Sequence, residues 1–163
     1  MAEPDRDIGA SLKIEPLALT HPDAQWCLAQ YFAELDARFE GGFDAAAATA
    51  SDADQLCPPG GLFLVAKRGD DPDGCVGLTF HRRALAEIKR MWVAPAARGL
   101  GLGRRLLVEA EARATAEGCS IAQLDTNQVL DEAIALYRSA GYVAIDRYSD
   151  NPYAHHWFEK PLA

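Results

Sequence analysis

The sequence predicts a mixed α/β (α+β) fold: a central mixed, mostly antiparallel sheet of six to seven strands with about four helices on both faces. Three observations point there. Short β-rich runs alternate along the chain with stretches whose apolar residues recur at helical spacing. Two of the β-rich runs are joined by a turn-rich segment, which makes an antiparallel hairpin the simple pairing. The 163 residues, 49% hydrophobic and 25% charged, suffice for one sizeable core. Residues 11–163 are therefore read as a single domain and residues 1–10 as a loose tail.

A short strand over residues 12–19 opens the domain, and His21-Pro22-Asp23 then starts a helix over 22–38. Trp26, Leu28, Ala29, Phe32, Leu35 and Phe39 recur at helical spacing within it, and Gly41-Gly42 closes it. Residues 43–60, with four successive alanines and then Asp, Gln, Cys, Pro and Pro, leave room for a short helix but read mainly as a mobile connector. Strands follow at 62–67 and 75–82 with a turn over 68–74, and then at 87–93. A helix over 103–117 places Leu106, Leu107, Ala110 and Ala114 on its inner face, and Gly118 ends it. Residues 121–126 form a strand, 131–139 a helix ended by Gly141, and 142–146 and 155–160 the last two strands.

Composition narrows the function classes. No apolar run approaches the roughly 20 residues that cross a bilayer, and residues 1–10 carry acids and a proline where a signal peptide needs bases and an apolar run. A soluble cytoplasmic protein with no membrane partner is expected. Cys27, Cys57, Cys75 and Cys119 lie far apart without a Cys-x-x-Cys pair or a histidine at ligand spacing, so four reduced, mostly buried thiols and no metal site are expected. The net charge of −8 is uneven: residues 1–73 hold 14 acids against 5 bases, and the remainder 10 against 11. That asymmetry suits a cationic partner on one side and an anionic one on the other, and disfavours nucleic acid.

The segment Arg98-Gly99-Leu100-Gly101-Leu102-Gly103-Arg104-Arg105 lies between a strand and a helix. Glycines let the backbone approach an anion, the first amides of the new helix lack partners within it, and three arginines add positive charge. The junction is built to hold phosphate. Downstream, Tyr137 shares a helix face with Ile134 at three-residue spacing, which suits either a core tyrosine or a phenol that donates a proton. Glu87, Lys89 and Arg90 place three charges within four positions of a strand expected inside the sheet, an expensive arrangement unless the strand borders a cleft or the charges pair. By alternation Glu87 and Lys89 share a face and Arg90 points away.

Arg-x-x-Gly-x-Gly at 98–103 and Ala-Leu-Tyr-Arg-Ser-Ala-Gly-Tyr at 135–142, each on its expected element, resemble the GNAT superfamily of N-acetyltransferases. The resemblance covers residues 62–160 by motif and 11–60 by element order. It implies that Arg98, Gly99, Leu100, Gly101, Leu102, Gly103 and Arg104 hold the pyrophosphate of acetyl-CoA, largely through backbone amides. It further implies that Met91, Trp92 and Val93 pair through their backbone with the pantetheine arm. Asn127 matches a polar position often near the cofactor, although a turn or capping role suits it equally. Tyr137 matches the tyrosine that protonates the departing thiolate. Glu87, eleven residues before Arg98, matches a glutamate that takes a proton from the amine, and a structural pair with Lys89 stays open.

The implied reaction is direct transfer of an acetyl group from acetyl-CoA, as co-substrate, to a primary amine of a small molecule or peptide, with a cationic acceptor favoured by the acidic first half. Residues 20–60 and 142–158 are its expected walls; within them His155 and His156 are adjacent and, on a strand, face opposite ways. Two alternatives stay open: a regulatory module that binds acetyl-CoA without catalysis, and a dinucleotide-binding oxidoreductase with Asp125 on the ribose. The latter lacks the third glycine, since Arg104 occupies that position. Family members often pair, so a homodimer is also open.

Overall fold

In the computed structural model, which describes residues 12–162, the chain runs β1 (Leu12–Pro16), α1 (Pro22–Arg38), α2 (Ala45–Gln55), β2 (Gly61–Arg68), β3 (Asp71–His81) and β4 (Leu85–Val93). A short 3-10 turn (Pro95–Ala97), α3 (Leu102–Ala116), β5 (Ile121–Thr126), α4 (Asp131–Ser139), β6 (Val143–Ala144) and β7 (His156–Pro161) follow. The tail expected over residues 1–10 lies outside the described residues. All seven strands form one sheet in the order β1-β2-β3-β4-β5-β7-β6. Every pairing is antiparallel except β4 with β5.

Alternation along the strands divides the core in two. Leu64, Ala66, Val76, Leu78 and Ile88 face α3 and α4, where Leu106, Leu107, Ala110 and Ala114 meet them at 0–1% exposure, as their helical spacing predicts. Phe63, Val65 and Cys75 face the other way, onto Ala24, Cys27, Leu28, Phe32 and Leu35 of α1. Trp26 departs from the expected stripe, standing 43% exposed with its edge toward Trp92. All four cysteines are free thiols; Cys27, Cys75 and Cys119 are buried and Cys57 is exposed. Among the described residues no helix is long and apolar enough to cross a membrane.

Four expectations need correction. The segment 43–60 is no loose connector: Asp44 caps α2 by accepting from the Ala47 amide at 3.0 Å, and α2 buries Ala48 and Asp52. The β2–β3 hairpin is longer than expected, its turn shrinking to Gly69 and Asp70, because Lys67 and Arg68 stay paired with Pro72 and Asp71 across a register shift. The first strand stops at Pro16, and the strand expected over 142–146 shrinks to two residues at the sheet edge.

A fifth concerns β4. Strict alternation would turn Arg90 away from Lys89, but Gly77 pairs with Lys89 while Cys75 pairs with Trp92, so β4 carries one extra residue there. Arg90 sits at φ 55, in the left-handed region. The bulge reverses the parity of the strand: Trp92 packs with α1, while Met91 and Val93 pack toward α3.

Candidate active site

Beyond the last paired register, Glu87 with Gln123, strands β4 and β5 part, and two neighbouring cavities occupy the gap. One, of about 420 Å³, is lined by Met91, Val93, Arg98 and the turn into α3. The other, of about 550 Å³, is lined by Glu87, Asp125 and Tyr137, with α1, α2 and residues 149–153 around them. Tyr31, Leu35, Met91, Leu130 and Ala133 border both.

The smaller cavity brings together Arg98, Gly99, Gly101, Leu102, Gly103 and Arg104 of the expected phosphate turn, while Leu100 lies outside its lining. Gly99 and Gly101 adopt φ 82 and 81, and a Cβ on either would meet nothing within 4 Å, so the turn is open on its outer side. Gly101 caps α3 without any side-chain bond, and Arg105 is the first residue to donate to it, at 3.2 Å. The amides of Leu102, Gly103 and Arg104 therefore stand at a helix N-terminus with its partial positive charge. Gly103 allows close packing instead: a Cβ there would approach Leu136 at 3.1 Å. Leu100 is exposed, and Arg104 donates to the Ser139 hydroxyl at 2.5 Å. On β4 the Ala94 amide donates to Asp73, so alternation turns the Val93 and Met91 amides toward the gap. These groups fit an acyl-CoA: open amides for its phosphates and a free strand edge for its amide-bearing arm.

Arg98 has a further task. Its Nε donates to the Val93 carbonyl at 2.9 Å and its Nη2 to Glu34 at 2.6 Å, which fixes the end of β4 against α1. Glu34 also accepts from Trp92 Nε1 at 3.1 Å and from Arg38 at 3.2 Å, and Arg38 continues to Glu132 on α4. Burial disfavours the Glu34 carboxylate, but the hydrogen bonds from Arg98, Trp92 and Arg38 outweigh it and hold the carboxyl below its ordinary value of 4.5. A depressed carboxyl stabilises the fold fully above that ordinary value and loses the contribution as pH falls through the folded one. Glu34→Gln is therefore expected to lower Tm at pH 7, with the gap to the unmodified protein closing as pH falls below 4.5, as calorimetry across pH 3 to 7 would read.

In the larger cavity Tyr137 is 6% exposed, between Tyr142 and Phe158 with ring centroids at 6.0 and 6.5 Å. No other described residue hydrogen-bonds its hydroxyl. Burial pushes its ionisation well above the usual phenol range, so it stays a proton donor. Glu87 accepts from the Tyr148 hydroxyl at 3.3 Å and lies 3.4 Å from His81 Nε2. Lys89 turns to Gln55 on α2 at 3.2 Å, so the Glu87–Lys89 pair left open by the sequence does not form. Asn127 is buried in a turn, accepting from Val129 at 2.9 Å and donating to the Tyr153 carbonyl at 2.7 Å, and it borders the larger cavity. His155 is likewise engaged, accepting from the Gln128 amide at 3.1 Å. The strands ahead of the glycine turn are antiparallel, and Asp125 bonds Ser149 and Asn151, an arrangement unlike a dinucleotide-binding βαβ unit.

Sequence reasoning missed Asp52. Arg90 donates to both its oxygens at 2.9 Å, with the Asp52 side chain 2% exposed and the Arg90 guanidinium 5.5 Å from the centre of the Phe32 ring. The pair pins the bulge of β4 to α2. Nothing in the alanine-rich stretch distinguished it from the neighbouring Asp44 and Asp54.

A mixed sheet parted at one parallel pair, with an amide-lined helix start beside the gap, is an arrangement that fits an acyl-CoA-dependent transferase. A sequence model of the Acetyltransferase (GNAT) family matches residues 28–142. An IAA acetyltransferase of Azospirillum brasilense is 36% identical over 143 residues, 85% of this chain and 92% of that protein. Two solved structures share the fold: a GNAT-family acetyltransferase from Staphylococcus aureus (TM-score 0.78, 16% identity, 93% of this chain and 99% of that one) and an IAA acetyltransferase from Bacillus cereus (TM-score 0.67, 21% identity, 93% and 100%). The chain belongs to the GNAT acetyltransferase family and, with it, to the enzymes that transfer acyl groups from acyl-CoA.

Proposed function

We propose that this protein transfers an acetyl group from acetyl-CoA to a primary amine by direct attack, both substrates being bound together. The observation that carries the reading is the meeting of the two cavities at Met91: amides and the α3 terminus on one side, Glu87 and the Tyr137 phenol on the other. The thioester supplies the activated acetyl carbon. Amides at 99–104 bind its phosphates, and the β4 edge at 91–93 aligns the arm, with the Val93 amide a donor for the carbonyl oxygen as charge develops on it. Glu87, already an acceptor for Tyr148, takes the proton that an arriving ammonium must lose.

The transfer forms a nitrogen–carbon bond and breaks a carbon–sulfur bond. Nitrogen gives up two protons, the ammonium's to Glu87 before attack and a second from the adduct to solvent, while sulfur gains one from Tyr137, which is restored through solvent. Following free-thiol release from acetyl-CoA over a diverse amine set near pH 8, with mass analysis of the products, tests the reading. Amine-dependent thiol release with an acetylated amine is expected. Stabilisation by acetyl-CoA with no release for any amine would replace it with a non-catalytic binding module.

A further inference from the structure

The proposed transfer leaves Asp125 unused, although it lies on β5 two residues past the point where the strands part and lines the larger cavity. Its carboxylate accepts from Ser149 Oγ at 2.6 Å and from Asn151 Nδ2 at 3.2 Å. Both donors are neutral, and no cation among the described residues forms an ion pair with it. The two cations bordering the same cavity are engaged elsewhere, Arg90 with Asp52 and Lys89 with Gln55. Asp125 therefore faces the cavity held only by neutral donors, with Arg90 acting on it from a distance. Trp157 Nε1 donates to Ser149 Oγ at 2.9 Å, which braces the hydroxyl that holds it.

The loop that orients Asp125 also builds an aromatic wall. Asn151 accepts from the Tyr153 amide at 3.0 Å, and the Tyr153 hydroxyl accepts from the Asp44 amide at 3.0 Å. Tyr153 lies 4.8 Å from Phe43 and 5.6 Å from Phe39, ring centre to ring centre, and all three border the cavity. Aromatic faces take an apolar, ring-shaped body, and a carboxylate held only by neutral donors beside them takes an ammonium.

We propose that Asp125 docks the ammonium of the acceptor and that the acceptor is a monoamine with an aromatic body, seated against Phe43 and Tyr153. This rests on the amine-transfer reading above. A carboxylate on the acceptor would meet Asp125 and find Arg90 already paired with Asp52. The other carboxylates lining the cavity have tasks of their own, Asp44 capping α2 and Glu87 taking the proton, so a polyamine's further ammonium groups are left without a dock.

The test measures thiol release from acetyl-CoA with phenethylamine, tryptamine, butylamine, spermidine and phenylalanine. Phenethylamine or tryptamine should exceed spermidine and phenylalanine at least tenfold in kcat/KM. Asp125→Asn should raise KM for phenethylamine tenfold or more while KM for acetyl-CoA stays within twofold, and Asp125→Glu should recover part of the loss. Phe43→Ala should cost phenethylamine more than butylamine, which keeps the assignment testable if the Asp125 variants fold poorly. Spermidine or phenylalanine as the better substrate, or an unchanged amine KM in Asp125→Asn, would overturn the assignment and leave amine transfer standing. Thiol release with no amine at all would overturn both.

Discussion

Tyr137→Phe is expected to lower kcat by about 10²-fold, close to 2.7 kcal/mol of barrier, with KM for acetyl-CoA within about twofold. The substitution removes one oxygen and leaves the ring between Tyr142 and Phe158, so packing and Tm should barely change. No described residue depends on that hydroxyl for a hydrogen bond, which separates its chemical role from a structural one. Burial holds the phenol protonated across the physiological range, as an acid that gives up its proton only to a departing thiolate requires. A loss confined to KM would instead mark Tyr137 as a binding contact, and equal activity would remove it from the mechanism. Thioesters with a more acidic leaving thiol need less help and should narrow the difference between Tyr137→Phe and the unmodified enzyme.

What the sequence disclosed depends on how local each cause is. The inner face of α3 was legible because Leu106, Leu107, Ala110 and Ala114 recur at the helical period, and the glycine turn into α3 because positive φ at Gly99 and Gly101 leaves a glycine signature in the chain itself. The motif around Tyr137 singled it out, and the residue lines the larger cavity. By contrast, the bulge in β4 arises from pairing with β3, and nothing in Lys89-Arg90-Met91 announces that the strand changes parity there. Helix α2 was obscured because its alanine run has no apolar contrast from which to read a face, and its buried acid is explained by a partner 38 positions away. Glu34 and Arg38 were passed over for the same reason, each looking like a solvated acid or base until the element that faces it is known, and Asp125 was weighed only as a ribose-binding acid. The charged strand Glu87-Ile88-Lys89-Arg90 pointed to a cleft, but its charges turned out to engage α2 and the loop before β7 instead of one another.

Asp52→Ala is expected to cost about 3–5 kcal/mol, the usual penalty for removing one partner of a buried ion pair, and to lower Tm on the order of 10 °C in a chain of this length. The cost comes mainly from Arg90, whose guanidinium would remain beside Tyr31 and Phe32 with no carboxylate hydrogen-bonded to it. Replacing both partners by apolar residues, Asp52→Leu with Arg90→Met, should recover most of that stability, because no charge is then left buried. The double replacement should not recover activity. Arg90 holds a left-handed backbone that costs about 1–3 kcal/mol and persists only while its surroundings enforce it. Without the bidentate hold of Asp52 the bulge is free to relax, and the reversed parity that turns Met91 and Val93 toward α3 relaxes with it. The double variant is therefore expected to regain Tm while KM for acetyl-CoA stays raised at least fivefold. Full recovery of both would mean that the bulge is maintained by the β3–β4 ladder alone, and that the ion pair serves only to carry α2 against the sheet.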